Sequence, residues 1–126
     1  IDDVRSSARS TPEERQRGAR GGDRRPFPHG HVLAPTDANV YETYRTEANE
    51  GPGPDPVGSH PTSASPFDLD DMIGNVFELT RGAAGRPEIR GGGWYYFGFS
   101  GQIANRTDLE PVVRNPHTGF QVCASW

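Results

Sequence analysis

Hydrophobic positions along this chain are sparse and form only short periodic stretches. Between residues 23 and 66 there is little periodicity, and eight prolines in that stretch forbid long helices and central strands. A structureless segment of this length in a compact domain is usually functional or stabilised by a ligand. Later in the chain, alternating β-branched and aromatic residues predict four short β-strands, over Asn75–Thr80, Glu88–Trp94, Gln102–Thr107 and Gly119–Ala124.

The clearest helix signal lies near the N-terminus. Thr11 suits the N-cap, Pro12 the first helical position and Glu14 the third, which together form a capping box. We therefore predict a short helix that begins at Pro12 and ends at Gly18 or at the Gly21-Gly22 pair.

The composition favours a fold with few long elements. A chain of 126 residues is one domain at most. It contains 16 glycines and 12 prolines, and Gly91-Gly92-Gly93 predicts a bulge or a close approach of two backbone segments. Leu, Ile, Val and Phe together account for 22 residues, a share low enough to suggest disorder. Disordered chains usually also carry a large net charge, however, and the net charge here is only -4. Two interpretations remain, a loop-rich fold or a piece of a larger one.

Charge, hydropathy and cysteine content exclude several classes of protein. Acidic residues outnumber basic ones by 17 to 13, so we expect no nucleic-acid partner. No apolar run approaches the roughly 18 residues needed to cross a bilayer, so we predict no transmembrane segment within this chain. The single cysteine, Cys123, excludes an intrachain disulfide and a cysteine-based zinc site.

The most informative chemistry lies in the acidic segment 68–71, which Asn75 and Glu78 follow. Closely spaced hard oxygen ligands suit Ca²⁺, and Gly74 allows a tight turn between them. The spacing is not that of an EF-hand. The alternative interpretation is a polar turn that leads into a strand.

This segment belongs to a longer pattern. Residues 71–80 read DMIGNVFELT and resemble the D-M-x-G-N-V-W-E-W-T motif of the formylglycine-generating enzyme (sulfatase-modifying factor) family. Three further segments resemble family motifs in the family's order: Thr11–Gly22 (P-T-E-x-E-W-E-Y-A-A-R-G-G), Pro56–Ser59 (P-V-G-S), and Arg90–Trp94 with Arg106, Arg114 and Gly119-Phe120 (R-G-G-S-W…R…R…G-F-R). Four motifs in order, across nearly the whole chain, indicate homology.

The resemblance implies a fold and a need for a partner. The family fold is α+β and loop-rich, a formylglycine-generating-enzyme-like variant of the C-type lectin fold with little regular secondary structure. Residues 1–126 match the C-terminal part of one such domain, and the N-terminal half is absent from this chain. We therefore expect the chain to associate with another protein chain or with the missing N-terminal half-domain.

The resemblance also implies calcium as the cofactor, because family members bind two Ca²⁺ ions. One site falls on the side chains of Asp71 and Glu78 and the carbonyls of Gly74 and Val76. The other falls on the Asn39 side chain, the Val40 carbonyl, Asn49 and the Gly51 carbonyl. Calcium binding in turn favours a periplasmic or extracellular location.

Copper is not expected. In the formylglycine-generating enzyme two cysteines after the G-G-S motif bind Cu(I), which requires soft thiolate ligands. The corresponding positions here are about Tyr96 and Gly101, and Gly93 replaces the serine of that motif. The resemblance therefore argues against formylglycine generation by this chain.

The favoured hypothesis is a non-catalytic binding or scaffold module, or an accessory subunit of a larger protein or complex. Residues 94–99 concentrate five aromatic side chains where the family builds its ligand-facing loop. The predicted ligand or partner contacts are Trp94, Tyr95, Tyr96, Phe97, Phe99, Asn105 and Arg106. The alternative for the aromatic residues is burial in the core.

A second hypothesis is a fragment of an enzyme from the same superfamily. It would be an oxygen-dependent oxidoreductase, such as a nonheme iron sulfoxide synthase, whose catalytic residues lie on a missing segment. Its substrate contacts here would be Arg90, Asn105, Arg106 and Asn115. For the arginines the alternative is a structural role as ties between loops.

Overall fold

The computed structural model describes residues 11–45, 53–108 and 116–119. These ranges contain the helix α1 (Pro12–Arg20) and the strands β1 (Phe77–Arg81), β2 (Pro87–Arg90), β3 (Thr107–Asp108) and β4 (Thr118–Gly119). The remaining described residues form loops, bends and short 3-10 turns. The predicted loop-rich α+β class is confirmed. None of the helices in these ranges is long and apolar enough to cross a membrane.

The predicted helix forms with the predicted cap. The Glu14 amide donates to the Thr11 hydroxyl at 3.2 Å, and the Thr11 amide donates to the Glu14 carboxylate at 2.8 Å. These reciprocal bonds satisfy two backbone donors that a helix start leaves unpaired. The helix ends at Arg20, and the following Gly21 adopts a φ of 68° while its amide donates to the Arg17 carbonyl.

The four strands form a mixed sheet in the order β3-β2-β1-β4. β1 pairs antiparallel with β2, and β4 runs parallel to β1 at the sheet edge. Glu78 lies opposite Arg90, and Leu79 lies opposite Ile89. The buried face of this sheet is the polar one, carrying Glu78, Thr80, Glu88 and Arg90.

In the part of the chain that the structure describes, the buried apolar residues form two small clusters. One contains Phe27, Ala38, Val40 and Ile73, with Leu33 packed against it. The other contains Ala19 of α1 with Met72 and Ile103. Met72 and Ile73 are neighbours in one turn, and each packs into a different cluster. The same turn carries predicted calcium ligands.

Left-handed backbone conformations set the strand ends. Asn75 has a φ of 61°, so β1 begins at Phe77 rather than at Asn75. Gly91 and Gly92 have φ values of 93° and 73°, which end β2 at Arg90 instead of Trp94. A Cβ on Gly92 would lie 2.9 Å from the Gly101 amide nitrogen, so the predicted close backbone approach is confirmed.

The predicted strand over Gln102–Thr107 is wrong. Only Thr107 enters a strand, as the first residue of β3. A 3-10 turn over Gly98–Gly101 leads the chain inward, where Ile103 is buried and its amide donates to the Pro26 carbonyl at 2.8 Å. Ile103 therefore packs in the core, and residues 102–106 do not pair with a neighbouring strand. Of the predicted strand Gly119–Ala124, Gly119 lies in β4 and residues 120–124 lie outside the described residues.

Candidate functional site

The turn that precedes β1 holds three residues in left-handed backbone conformations, Asp71, Gly74 and Asn75. The Gly74 amide donates to the Gly91 carbonyl at 2.7 Å, and the Asn75 amide donates to the Asn39 carbonyl at 2.7 Å. The turn therefore lies between the segment around Asn39 and the glycine segment after β2. The turn thus brings Asn39, a predicted ligand of the second ion site, next to predicted ligands of the first.

Glu78 is buried at the start of β1 and has a basic partner. Arg15 of α1 donates from Nε to Glu78 Oε2 at 2.5 Å, and its Nη2 donates to the Met72 carbonyl at 2.7 Å. Burial raises the pKa of Glu78; the Arg15 guanidinium opposes this rise, and the Asp71 carboxylate adds to it. Asp71 itself accepts a hydrogen bond from the Gly58 amide at 2.7 Å.

The donor set around Asp71 and Glu78 fits a hard cation. Carboxylate and carbonyl oxygens are the ligands that Ca²⁺ prefers. In the described ranges no three His, Cys, Asp or Glu side chains converge on one point, so an ion here needs the carbonyls of Gly74 and Val76 as well. Arg15 already offsets the charge at one Glu78 oxygen.

Asn39, which belongs to the other predicted ion site, has an unsatisfied oxygen. The residue is 1% exposed, and its Nδ2 donates to the Gly53 carbonyl at 2.9 Å and to Asn75 Oδ1 at 3.2 Å. Its Oδ1 is buried and accepts no hydrogen bond from the residues that the structure describes. Burying an unpaired polar oxygen is costly, and a bound cation would remove that cost.

Of the other predicted ligands at this site, only Val40 can be placed. It is buried, and its carbonyl accepts the Thr43 amide at 3.0 Å, which leaves the second lone pair of that oxygen. Asn49 and Gly51 lie outside the described residues.

Several exposed aromatic rings lie close together at the protein surface. We define the aromatic surface as Tyr41, Tyr95, Tyr96, Phe97 and Phe99, which are each between 42% and 66% exposed. Tyr41 donates its amide to the Tyr96 carbonyl at 3.0 Å, and its ring lies 4.9 Å from that of Phe97. Phe97 and Phe99 stack with ring centroids 6.1 Å apart. The four of these residues that the sequence predicted as contacts, Tyr95, Tyr96, Phe97 and Phe99, are therefore not core residues.

Trp94 packs against the aromatic surface. It is partly buried, its ring lies 5.6 Å from that of Tyr95 and 4.9 Å from that of His117, and its amide donates to the Asn75 carbonyl. The Tyr96 ring packs edge-on against Phe77 of β1 at 5.0 Å. The aromatic surface is thus anchored to the turn that carries the predicted ion ligands.

Asn105 and Arg106, the two polar residues predicted as ligand or partner contacts, lie in different parts of the structure. Asn105 donates from Nδ2 to the Phe99 and Ser100 carbonyls at 3.1 and 3.2 Å, so it holds the end of the aromatic surface in place. Arg106 lines a separate polar cleft together with Arg81 and Arg86.

Arg90, a substrate contact in the enzyme hypothesis, is a structural tie. It is 1% exposed, its Nε donates to Glu88 at 2.5 Å, and its Nη1 donates to the Ile103 carbonyl. Asn115 lies outside the described residues.

Sequence reasoning missed Tyr41 and Glu42. Both directly follow the Asn39-Val40 motif but contact the 94–99 segment. The Tyr41 amide donates to the Tyr96 carbonyl, and the Glu42 carboxylate accepts the Gly98 amide. Contacts across more than 50 residues leave no periodic pattern in the sequence. The position of Tyr41, an aromatic residue beside a predicted ion ligand, is the one local signal.

Comparison with known proteins gives a family and a fold. Residues 7–125 match the model of the sulfatase-modifying factor enzyme 1-like domain. No curated protein sequence matches this chain. The fold is similar to that of the Treponema denticola variable protein 1, with a TM-score of 0.73 and 21% identity, and of PvdO from Pseudomonas aeruginosa, with a TM-score of 0.71 and 26% identity.

The chain spans about half the length of these solved structures. In both comparisons 90% of this chain is covered, against 45% of the Treponema denticola protein and 51% of PvdO.

Proposed function

Because the chain belongs to the sulfatase-modifying factor enzyme 1-like family, we propose that it is a non-catalytic binding module whose aromatic surface docks a second polypeptide. The observation that carries the proposal is the exposure of five neighbouring aromatic rings, each at least 42% exposed. Aromatic side chains are enriched among residues that dominate binding energy at protein interfaces. Contiguous apolar rings at a surface also favour an interaction site over free solvation.

The second polypeptide is another protein chain or the N-terminal half-domain that the resemblance to the family implies. The solved neighbours are about twice as long as this chain, which supports a role as part of a larger protein or complex. Half of a fold that size would leave apolar surface for the other half to cover.

Calcium is the proposed cofactor. The ligands would be Asp71, Gly74, Val76 and Glu78 at one site and Asn39, Val40, Asn49 and Gly51 at the other. The unsatisfied Asn39 oxygen supports the second site, and the hard oxygen donors of the turn before β1 support the first. Bound calcium would hold the loop-rich chain in one conformation, because ion binding is coupled to folding. This role favours a periplasmic or extracellular location.

A catalytic role in formylglycine generation is not proposed. The resemblance puts the copper-binding cysteines of the enzyme at about Tyr96 and Gly101, and neither residue carries a soft ligand. Tyr96 is instead 43% exposed within the aromatic surface. The buried Arg90–Glu88 pair leaves no free guanidinium for a substrate at that position, which gives the enzyme hypothesis no support.

Footprinting of the native assembly tests the proposal. Protein purified from its source is separated by native mass, crosslinked chains are identified, and side-chain oxidation by hydroxyl radicals is compared with that of the isolated 126-residue chain. We expect Tyr95, Tyr96 and Phe99 to be protected in the assembly, and Val57, which is 87% exposed elsewhere, to stay reactive. Equal oxidation of the three aromatic residues in both samples would overturn the proposal.

A further inference from the structure

A small apolar pocket lies beside the aromatic surface. It has a volume of about 280 Å³ and opens between the loop 31–35 and the 3-10 turn at residues 98–101. Apolar side chains make most of its lining, including Phe27, Val32, Leu33, Val40 and Phe99. The volume is just below the roughly 300 to 1,000 Å³ of sites for drug-sized ligands, so it suits one side chain or a small molecule.

One carboxylate faces this apolar lining. Glu42 lines the pocket and accepts the Gly98 amide with both oxygens, at 2.9 Å to Oε2 and 3.2 Å to Oε1. A carboxylate offers about four acceptor positions, and a single N–H satisfies only part of them. His31 also lines the pocket, but within the described ranges neither it nor any other Arg, Lys or His side chain forms an ion pair with Glu42.

From this combination we propose that the pocket binds a primary ammonium group carried on an apolar stem. The stem would pack against Leu33 and Val40 while the ammonium pairs with Glu42. Phe99, whose ring stacks on that of Phe97, also lines the pocket. Such rings attract cations within about 6 Å of their centroid.

The geometry selects an ammonium over a guanidinium. A guanidinium binds a carboxylate best through two parallel bonds to both oxygens. Here the Gly98 amide already donates to both oxygens of Glu42. A guanidinium could therefore not form two parallel bonds to them without displacing this amide. An ammonium acts as a compact point charge and can use the remaining acceptor positions singly.

Calorimetry on the full 126-residue chain tests the site with n-hexylamine, 1-hexanol and n-butylguanidine as probes. We expect hexylamine to bind at least tenfold more tightly than the other two. Glu42→Gln keeps an acceptor for the Gly98 amide but removes the charge, so it should weaken hexylamine binding at least tenfold and leave hexanol unchanged. Glu13→Gln, on an exposed residue of α1, is the matched control and should change nothing.

Three results would overturn the proposal: equal binding of hexylamine and hexanol, no binding of hexylamine, or tighter binding of butylguanidine. Nα-acetyl-lysine methylamide then identifies the source of the ammonium group. Binding as tight as that of hexylamine supports a lysine side chain of a peptide, and rejection with hexylamine still bound supports a free amine. The site does not depend on the proposed docking of a polypeptide, because amine binding and footprint protection are measured separately.

Discussion

Arg15 and Glu78 form an ion pair inside the molecule, with 2.5 Å between Nε and Oε2 and side chains that are 1% and 9% exposed. The pair joins α1 to β1, so this α-helix is fixed to the sheet by charge as well as by packing. A buried pair of this kind stabilises little compared with apolar residues, but losing one partner leaves a costly buried charge.

The first prediction concerns this pair. Arg15→Met, measured with a chelator present so that no cation replaces the guanidinium, should lower the free energy of unfolding by about 3 to 5 kcal/mol. Glu78→Met in the same chain should restore part of the loss, because it removes the uncompensated carboxylate. Arg17→Met, on an exposed residue of the same helix, should cost less than about 0.5 kcal/mol in a urea titration. A double variant no more stable than Arg15→Met would contradict the pairing.

The second prediction concerns pH. His60 lies with Nε2 2.8 Å from Asp55 and Nδ1 3.1 Å from the Thr36 carbonyl, so its protonated ring satisfies both acceptors. Burial lowers the pKa of His60, but the bonds to Asp55 and Thr36, with the charges of Asp55 and Asp71, raise it overall above 6.5. The stabilising contribution of His60 is therefore complete below 6.5 and is lost as the pH rises through the folded-state pKa.

Unfolding of the parent and of His60→Gln over a series of pH values measures this contribution as a difference. The difference should be largest near about pH 5.5 and should shrink toward about pH 8.5. Val57→Ala, on an exposed residue that does not titrate, serves as the control and should give a difference that stays constant across the series. A difference for His60→Gln that grows with pH has the wrong sign for this network.

The third prediction compares two glycines with the same backbone conformation. Gly74 and Gly85 both have a φ of 73°, but only Gly74 is crowded, since a Cβ there would lie 2.7 Å from the Asn39 carbonyl oxygen. Gly85→Ala should cost about 1 to 2 kcal/mol, the penalty of the left-handed conformation alone. Gly74→Ala should cost about 3 kcal/mol or more, because overpacking is added. Equal thermal shifts for the two variants would show that the turn does not press against Asn39.

The fourth prediction concerns calcium. Excess Ca²⁺ should raise the unfolding midpoint of the chelated chain by several degrees, since a ligand at about 100 times its Kd adds about 2.7 kcal/mol. Asn39→Ala should remove part of this rise, and Asn105→Ala, on an exposed asparagine, should leave it intact. Calorimetric scans with and without chelator give both values, and an unchanged midpoint of the parent chain would count against both ion sites.

Local signals in the sequence predicted local structure well. The capping box from Thr11 to Glu14 specifies α1 because its bonds form within one turn. The strand limits were less accurate, because the left-handed conformations of Asn75 and Gly91 are enforced by neighbours distant in sequence. The Gln102–Thr107 error has the same cause, since burial of Ile103 against Met72 overrides its β propensity.

The candidate site was predictable only in part. The motif around Asp71 located the turn, and the aromatic run located most of the aromatic surface. The partners of these residues were not visible, because Arg15 is 63 positions from Glu78 and Glu42 is 56 positions from Gly98. Such pairings depend on tertiary packing, which no periodic pattern records.

The central claim is that the aromatic surface binds a polypeptide, and an affinity measurement on a double variant tests it most directly. The Kd of the chain identified by crosslinking is measured for the parent, for Tyr95→Ala/Tyr96→Ala, and for the control Val57→Ala/Phe67→Ala, whose residues are exposed outside the aromatic surface. We predict at least a tenfold weakening for the tyrosine pair, because aromatic hot spots contribute about 2 kcal/mol or more each, and no change for the control. An affinity of the tyrosine variant equal to that of the parent would contradict the account.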